Sequence, residues 1–399
     1  MEKEKTIYEI SAERHKALGG KLEVRSKVPI KTRDALSWAY TPGVAEPCRI
    51  IAKNPEEVYN YTWKKNSVAV VSDGSAVLGL GNIGPLAAIP VMEGKAALMS
   101  EFAGINAVPI CLTTQNTEEI INVVKCIAPT FGAICLEDIS APRCVEIERR
   151  LIEELDIPVF HDDQHGTAIV VGAALTNALK VVCKELSEIT VVVSGTGAAG
   201  SAIIKMLHNL GVKEIYGFNI GGIVTEEDYH IYEAQNEPVL KELSLITNPR
   251  QERLSMAEAI AKADVFIGVS APNLVTPEMV RSMKRDPIVF AMANPNPEIT
   301  YEAGKAAGAR IMGTGRSDYP NQINNLLAFP GVFRGALNCR TSKITEEMKM
   351  EAVYALASVI SPQELNENNI IPDALDERGV SVVASAIERT AIAQGLARI

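Results

Sequence analysis

Asp162 and Asp163 stand side by side in the stretch Ile157-Pro158-Val159-Phe160-His161-Asp162-Asp163-Gln164-His165-Gly166-Thr167. Adjacent carboxylates are hard oxygen donors of the kind that bind Mg²⁺ or Mn²⁺. The same two residues can also cap a helix and complement its dipole, and at this point both readings are open. A short apolar run of strand type precedes them, and residues 168–182, poor in charge and rich in Ala, Val and Leu, read as a buried helix. Strand, polar turn and helix start is the arrangement in which open α/β sheets hold ligands at the carboxyl ends of their strands.

A second acidic pair, Glu137-Asp138, ends the strand signal at 132–136. Two such pairs on neighbouring strand ends repel strongly unless a cation lies among them, which favours the metal reading over the capping one. Lys95 stands alone in the apolar run 89–99. In a partly desolvated site its pKa would fall towards that of a general base, whereas on a helix edge it would simply snorkel to water. Tyr40, just before the turn Thr41-Pro42-Gly43, reads by itself as a packed ring with its hydroxyl at the surface. The amide-rich turns 293–297 and 321–325 hold either turn formers or donors for a carboxylate.

The elements that must position these residues fall into two series. Strand signals at 67–72, 107–112, 132–136 and 157–161 come first, and others at 189–194, 214–218, 264–269 and 287–292 follow. Gly79-Leu80-Gly81-Asn82-Ile83-Gly84 has GxGxxG-like spacing, but no acidic residue ends a clear second strand about 20 residues later, so it reads as a close-packed turn. Gly195-Thr196-Gly197-Ala198-Ala199-Gly200 has the full context of strand, glycine turn, helix and second strand. Its first glycine makes the turn, the second lets backbone approach a pyrophosphate, and the third lets helix and strand pack closely. The second strand should end in an acid for the ribose hydroxyls, but Asn219 stands there. Residues 346–399 show helical periodicity interrupted at 370–373.

A chain of 399 residues, 47% apolar, has room for two domains and a large core. Its net charge of -10 argues against nucleic acid or an anionic membrane as partner. The charged start Met1-Glu2-Lys3-Glu4-Lys5 shows no secretory signal, and no run approaches the roughly 20 apolar residues of a membrane span. Seven cysteines scattered without CxxC spacing read as reduced thiols of a cytoplasmic protein, with no zinc expected on them.

Assembled, the segments SKVPIKTRDALSWAYTPGVAEPC, VLGLGNIGPLAAIPVMEGK, CLEDI, PVFHDDQHGTAI, GTGAAG and NNLLAFPGVFRGAL resemble malic enzymes of the short, bacterial-type class over nearly the whole chain. The resemblance implies an α/β protein with an N-terminal malic-type substrate and metal domain at 1–163. A doubly wound, Rossmann-like NAD(P)-binding domain with a helical C-terminal tail would occupy 164–399. It implies oxidative decarboxylation of L-malate to pyruvate and CO₂, with Mg²⁺ or Mn²⁺ held by Glu137, Asp138 and Asp163. Lys95 would be the general base, Tyr40 the general acid, Asp162 the group that orients or tunes Lys95, and Asn294 and Asn325 substrate-binding amides. Thr167, Asn219 and the turn Gly195, Thr196, Gly197, Ala198, Ala199 and Gly200 would meet the nucleotide. A homodimer or higher homo-oligomer is expected.

The chain departs from the larger eukaryotic-type relatives in two places. Ala76 stands where they have an arginine for the substrate carboxylate, and Asn219 replaces the ribose acid. Without that acid the obstacle to a 2′-phosphate is gone, which points towards NADP with NAD still possible; Arg250 and Arg253 are the cations that could reach it. The alternatives are a metal-dependent dehydrogenase or decarboxylase of another hydroxy-acid, and a nucleotide-sensing relative without catalysis.

Overall fold

A computed structural model describes residues 5–399, the side chain of Leu78 apart; the charged start at 1–4 lies outside the described residues. Among the described residues the strands form two sheets, in the orders β2-β1-β3-β4 and β10-β9-β8-β5-β6-β7. The first contains β1 (Ser67–Ser72), β2 (Asn106–Cys111), β3 (Ala133–Leu136) and β4 (Val159–His161), all parallel. Every residue of β1 and β3 is buried, as the continuous apolar runs require of strands covered on both faces.

The second sheet contains β5 (Thr190–Ser194), β6 (Glu214–Asn219), β7 (Gly222–Ile223), β8 (Val265–Gly268), β9 (Ile288–Ala291) and β10 (Ile311–Thr314). Only the β6–β7 pairing is antiparallel. Strand order reverses between β5 and β8, the crevice where doubly wound sheets bind nucleotides. β7, only two residues long, and β10, an apolar pair followed by Gly313 and Thr314, have no counterpart in the sequence reading.

The Asp162–Val182 helix links the sheets. Its length and composition would suit a membrane span, but 67% of its apolar window is buried inside the protein. It is the central helix of a core that runs without a break from Val70 through Val171 to Val193 and Phe329. The expected boundary between 163 and 164 falls in its first turn. The region expected as a tail holds the Glu346–Ala357 and Arg378–Ala393 helices, and it is part of this core rather than an appendage. Gly335 permits that: a Cβ there would meet the Ala384 carbonyl at 2.4 Å.

Candidate active site

Strand register brings the two acidic pairs together. β3 and β4 are neighbours with Leu136 opposite His161, so the two strands end together and the acidic pairs that follow them leave the same edge of the sheet. One ligand oxygen from each of Glu137, Asp138 and Asp163 lies within 4.8 Å of the others, and the first two residues are buried. Asp138 sits in the left-handed region at φ 53°. Its backbone is held there from both sides: its N–H donates to Asp163 Oδ2 at 2.9 Å, and its carbonyl accepts from the Ala76 N–H at 3.0 Å. The N-cap of the helix is His161, which makes no side-chain cap bond, and Asp162 and Asp163 stand in the first turn, where their charge complements the helix dipole.

Burial pushes the Glu137 carboxyl well above the usual range; Lys95 opposes this, and Asp163 and Asp162 reinforce it. Three crowded carboxylates of which one resists ionisation are a donor set that fits a divalent cation and is poorly satisfied without one.

Lys95 is positioned by helical period. In the Gly84–Ala103 helix the buried residues Ala88, Met92, Lys95, Ala96 and Met99 form one stripe, so the lysine points into the protein with 8% exposure. Its ammonium contacts Asp162 Oδ2 and lies 2.8 Å from Glu137 Oε1, under the Phe329 ring at 4.2 Å. Burial lowers its pKa, but Asp162 and Glu137 outweigh that and hold it well above the ordinary lysine value. The expected fall is thus reversed in the metal-free protein, because a buried lysine flanked by two carboxylates is an ion pair rather than a lone amine.

Gly166 makes room for this arrangement. A Cβ at that position would stand 1.8 Å from Asp162 Oδ1. Gly166→Ala is therefore expected to displace Asp162 and lower kcat by about 10²-fold, the scale of a misplaced catalytic group, with nucleotide affinity unchanged. Steady-state kinetics beside nucleotide titration would check it, and unchanged kcat would refute it.

At the second sheet the three glycines of the 195–200 turn separate by role. A Cβ on Gly195 would meet the Val269 carbonyl at 2.8 Å, and one on Gly200 the Gly195 carbonyl at 1.8 Å. Gly197 faces open space, with nothing within 4 Å. Two glycines close the turn and one leaves the helix N-terminus accessible to a phosphate. Gly79 is also a packing glycine: its Cβ would stand 2.0 Å from the Asn294 carbonyl, which agrees with the close-packed turn read there.

One cavity of about 730 Å³ joins the two regions, and Lys95, Glu137, Asp163, Thr167, Asn294 and Asn325 are among its walls. Ala199 and Ser270 line it on the nucleotide side. Asn219 lies apart, in a cavity of about 580 Å³ shared with Asp228 and Arg253, and its Oδ1 accepts from the Gly221 N–H at 2.7 Å. Tyr40 is not brought in. It ends the Arg33–Ala39 helix with 66% exposure and does not line the cavity.

Sequence reasoning passed over two residues that hold the site in shape. Glu148, only 4% exposed, accepts from the His161 N–H at 2.7 Å and Gln164 Nε2 at 3.1 Å, and lies 2.8 Å from His165 Nε2. It anchors the turn bearing Asp162 and Asp163. Burial opposes its ionisation, but the two histidines and Lys349 hold its pKa down to about 2. A glutamate on the buried stripe of an amphipathic helix was the available signal. Glu298, fully buried, accepts from the Ser270 N–H at 2.9 Å and the Ala293 N–H at 3.2 Å, tying the ends of β8 and β9 together beside Asn294.

Two sheets, parallel but for β7, with one cavity at the carboxyl ends of their strands, clustered carboxylates and a buried lysine on one side and a dinucleotide turn on the other, define a nucleotide-dependent oxidoreductase with a candidate divalent-metal centre. Residues 19–152 match the family model of the malic enzyme N-terminal domain, and 164–392 that of the malic enzyme NAD binding domain. The chain is 58% identical to the NAD-dependent malic enzyme of Geobacillus stearothermophilus over 96% of its own length and 78% of the relative's. It is 53% identical to the bifunctional malic/malolactic enzyme of Bacillus subtilis, covering 96% of this chain and 93% of that one. The crystal structure of the NAD-dependent malic enzyme from Thermotoga maritima superposes with a TM-score of 0.90 at 50% identity, over 95% and 98% of the two chains. The chain belongs to the malic enzyme family.

Proposed function

We propose that this protein catalyses the divalent-metal-dependent oxidative decarboxylation of L-malate to pyruvate and CO₂ with reduction of a nicotinamide dinucleotide. The observation that carries the proposal is the cluster of Glu137, Asp138 and Asp163 beside Lys95, in one cavity with the dinucleotide turn. Functionally, 1–163 supplies the acid cluster and Lys95, and 164–399 the nucleotide turn and the amides.

When bound by the three carboxylates, Mg²⁺ or Mn²⁺ supplies Lewis acidity to the substrate's hydroxyl and later carbonyl oxygen. The 195–200 turn would hold the dinucleotide, which would supply the hydride acceptor for C2. Lys95, once deprotonated, takes the proton of the C2 hydroxyl at Nζ, and Asp162 holds that nitrogen in position. Glu137 belongs both to the ion pair of Lys95 and to the carboxylate cluster that would hold the cation. Asn294 and Asn325 donate amide hydrogen bonds to substrate oxygens. The assay is absorbance of the reduced nucleotide with L-malate and Mn²⁺; absence of malate-dependent reduction would refute the function.

We propose NAD as the preferred nucleotide. Asn219 had pointed towards NADP, but the two arginines able to grip a 2′-phosphate are committed elsewhere. Arg250 pairs with Glu214 at the opposite end of β6. Arg253 is bound by Asp228 at 2.6 and 2.8 Å and by Glu227 at 3.2 Å. Running the assay with each nucleotide separately tests this, and a preference for NADP would overturn it.

Tyr40 as the acid that protonates C3 requires delivery from another molecule, and we propose a homodimer that provides it. The Arg33–Ala39 helix has no buried residue, and Trp38 is 61% exposed next to it. Leu86, near the start of the helix that bears Lys95, is 82% exposed, so each copy offers apolar surface close to its own site. Mixing inactive Tyr40→Phe with inactive Lys95→Ala should restore roughly a quarter of wild-type activity, since random pairing makes half of the dimers mixed and each mixed dimer has one intact site. No recovery after subunit exchange would refute delivery in trans. The seven unpaired thiols support a reducing, cytoplasmic setting.

A further inference from the structure

The walls of the main cavity are short of positive charge. Glu137, Asp138 and Asp163 are acidic, Asn294 and Asn325 are neutral, and Ala76 offers no donor. The ammonium of Lys95 is taken up by Asp162 and Glu137. A four-carbon hydroxy-diacid brings two carboxylates. One belongs with its hydroxyl at the metal cluster, and the other needs a cation of its own.

The N-terminal helix supplies a candidate. Ser11, His15 and Lys21 line the same cavity from the Ile7–Leu18 helix and the turn that follows it. Gly19 ends the helix in the left-handed conformation, and Gly20 has φ 113°, a region that requires glycine. The Lys21 N–H then donates to Glu93 Oε2 at 3.0 Å, which fixes the turn against the helix bearing Lys95. Lys21 Nζ donates to the Pro90 carbonyl at 2.6 Å and, among the described residues, enters no salt bridge. Partial burial lowers its pKa, and Glu93 opposes that. Pro90 precedes Lys95 by five residues, roughly 7.5 Å along the helix axis. Lys21 and Lys95 line one cavity, with the carboxylate cluster on the Lys95 side.

Building on the malate reading of this site, we propose that Lys21 is a substrate-binding and specificity residue. It pairs with the distal carboxylate of the dicarboxylate and does the work of a cation that Ala76 lacks.

The test uses full-length enzyme with Mn²⁺ and NAD, and compares wild type with Lys21→Met, Lys21→Gln and Lys21→Arg. L-Malate is the diacid probe. Oxalate, which chelates a metal through two oxygens and has no distal carboxylate, is the control ligand. Loss of one hydrogen bond to a charged group should raise KM for L-malate and weaken its calorimetric binding by about 10- to 100-fold in the Met and Gln variants. Oxalate inhibition should stay within about threefold of wild type, and Lys21→Arg should recover most of the loss in malate binding. Unchanged malate affinity in both neutral variants would overturn the proposal. So would a parallel loss of oxalate binding, which would mark Lys21 as structural support. A wild-type enzyme that binds oxalate with Mn²⁺ but neither binds nor oxidises L-malate would instead refute the malate reading, and this proposal with it.

Discussion

Lys95→Ala is expected to lower kcat/KM for L-malate by about 10²- to 10⁴-fold, the range for loss of a positioned general base. The lysine is the basic side chain in contact with both Glu137 and Asp162, and it lines the main cavity from the buried stripe of its helix. The 195–200 turn is built from other elements, so NAD affinity should hold. The truncation also removes the cation that helps Glu137 ionise, so metal affinity must be measured beside the kinetics. A loss that persists at saturating Mn²⁺ and NAD assigns the effect to proton transfer. Partial rescue by a small exogenous amine would support it further. Activity within about threefold of wild type would remove Lys95 from the mechanism.

Asp163→Asn should weaken Mn²⁺ binding at least about tenfold, because an amide oxygen replaces a charged ligand. A second signature separates a metal site from a merely acidic patch. Without metal the three carboxylates destabilise one another, so the metal-free variant should melt higher than the metal-free wild type. Added Mn²⁺ should then stabilise the wild type by about 2.7 kcal/mol at a hundred times its Kd, and the variant by much less. The pH dependence follows from Glu137. Burial, against the pull of Lys95, raises its folded-state pKa well above the ordinary 4.5. A carboxyl shifted in that direction favours the folded state below the unfolded pKa and loses that contribution as pH rises through the folded value. Metal-free wild type should therefore lose stability as pH climbs above about 4.5, and Mn²⁺ should reverse the trend by binding the ionised form. Thermal melts across pH with and without Mn²⁺ would show this, and a variant that responds to Mn²⁺ like wild type would exclude Asp163 as a ligand.

Much of this protein is determined locally and is legible along the chain. β1, β3 and β5 are continuous runs of apolar, largely β-branched residues, and such a run buried on both faces has few other folds open to it. The 195–200 turn sits between its strand and helix with every glycine at the required spacing. The acid pairs end their strands, and a parallel sheet puts strand ends on one side. For Lys95 the sequence left burial and snorkelling on a helix edge both open, because its helix is apolar almost all round.

The tertiary structure decided what depends on distance between segments far apart in sequence. The pairing of β3 with β4 gathered Glu137, Asp138 and Asp163 at one sheet edge, and the contacts of Lys95 with Asp162 and Glu137 reversed the pKa shift it would show as an isolated buried amine. Glu148 anchors the acidic turn from a helix 13 residues before it. Gly166 owes its identity to an oxygen of Asp162, and Gly79 to a carbonyl in the other sheet. The ion pairs of Arg250 with Glu214 and of Arg253 with Asp228 likewise join residues distant in sequence. Tyr40 stayed outside a cavity that Lys21 entered, because a glycine turn and a clamp on Glu93 aim one and nothing in the same chain aims the other. Sequence patterns report the period and the preference of a segment, whereas charge, clearance and reach are set by neighbours that only folding brings within a few ångströms.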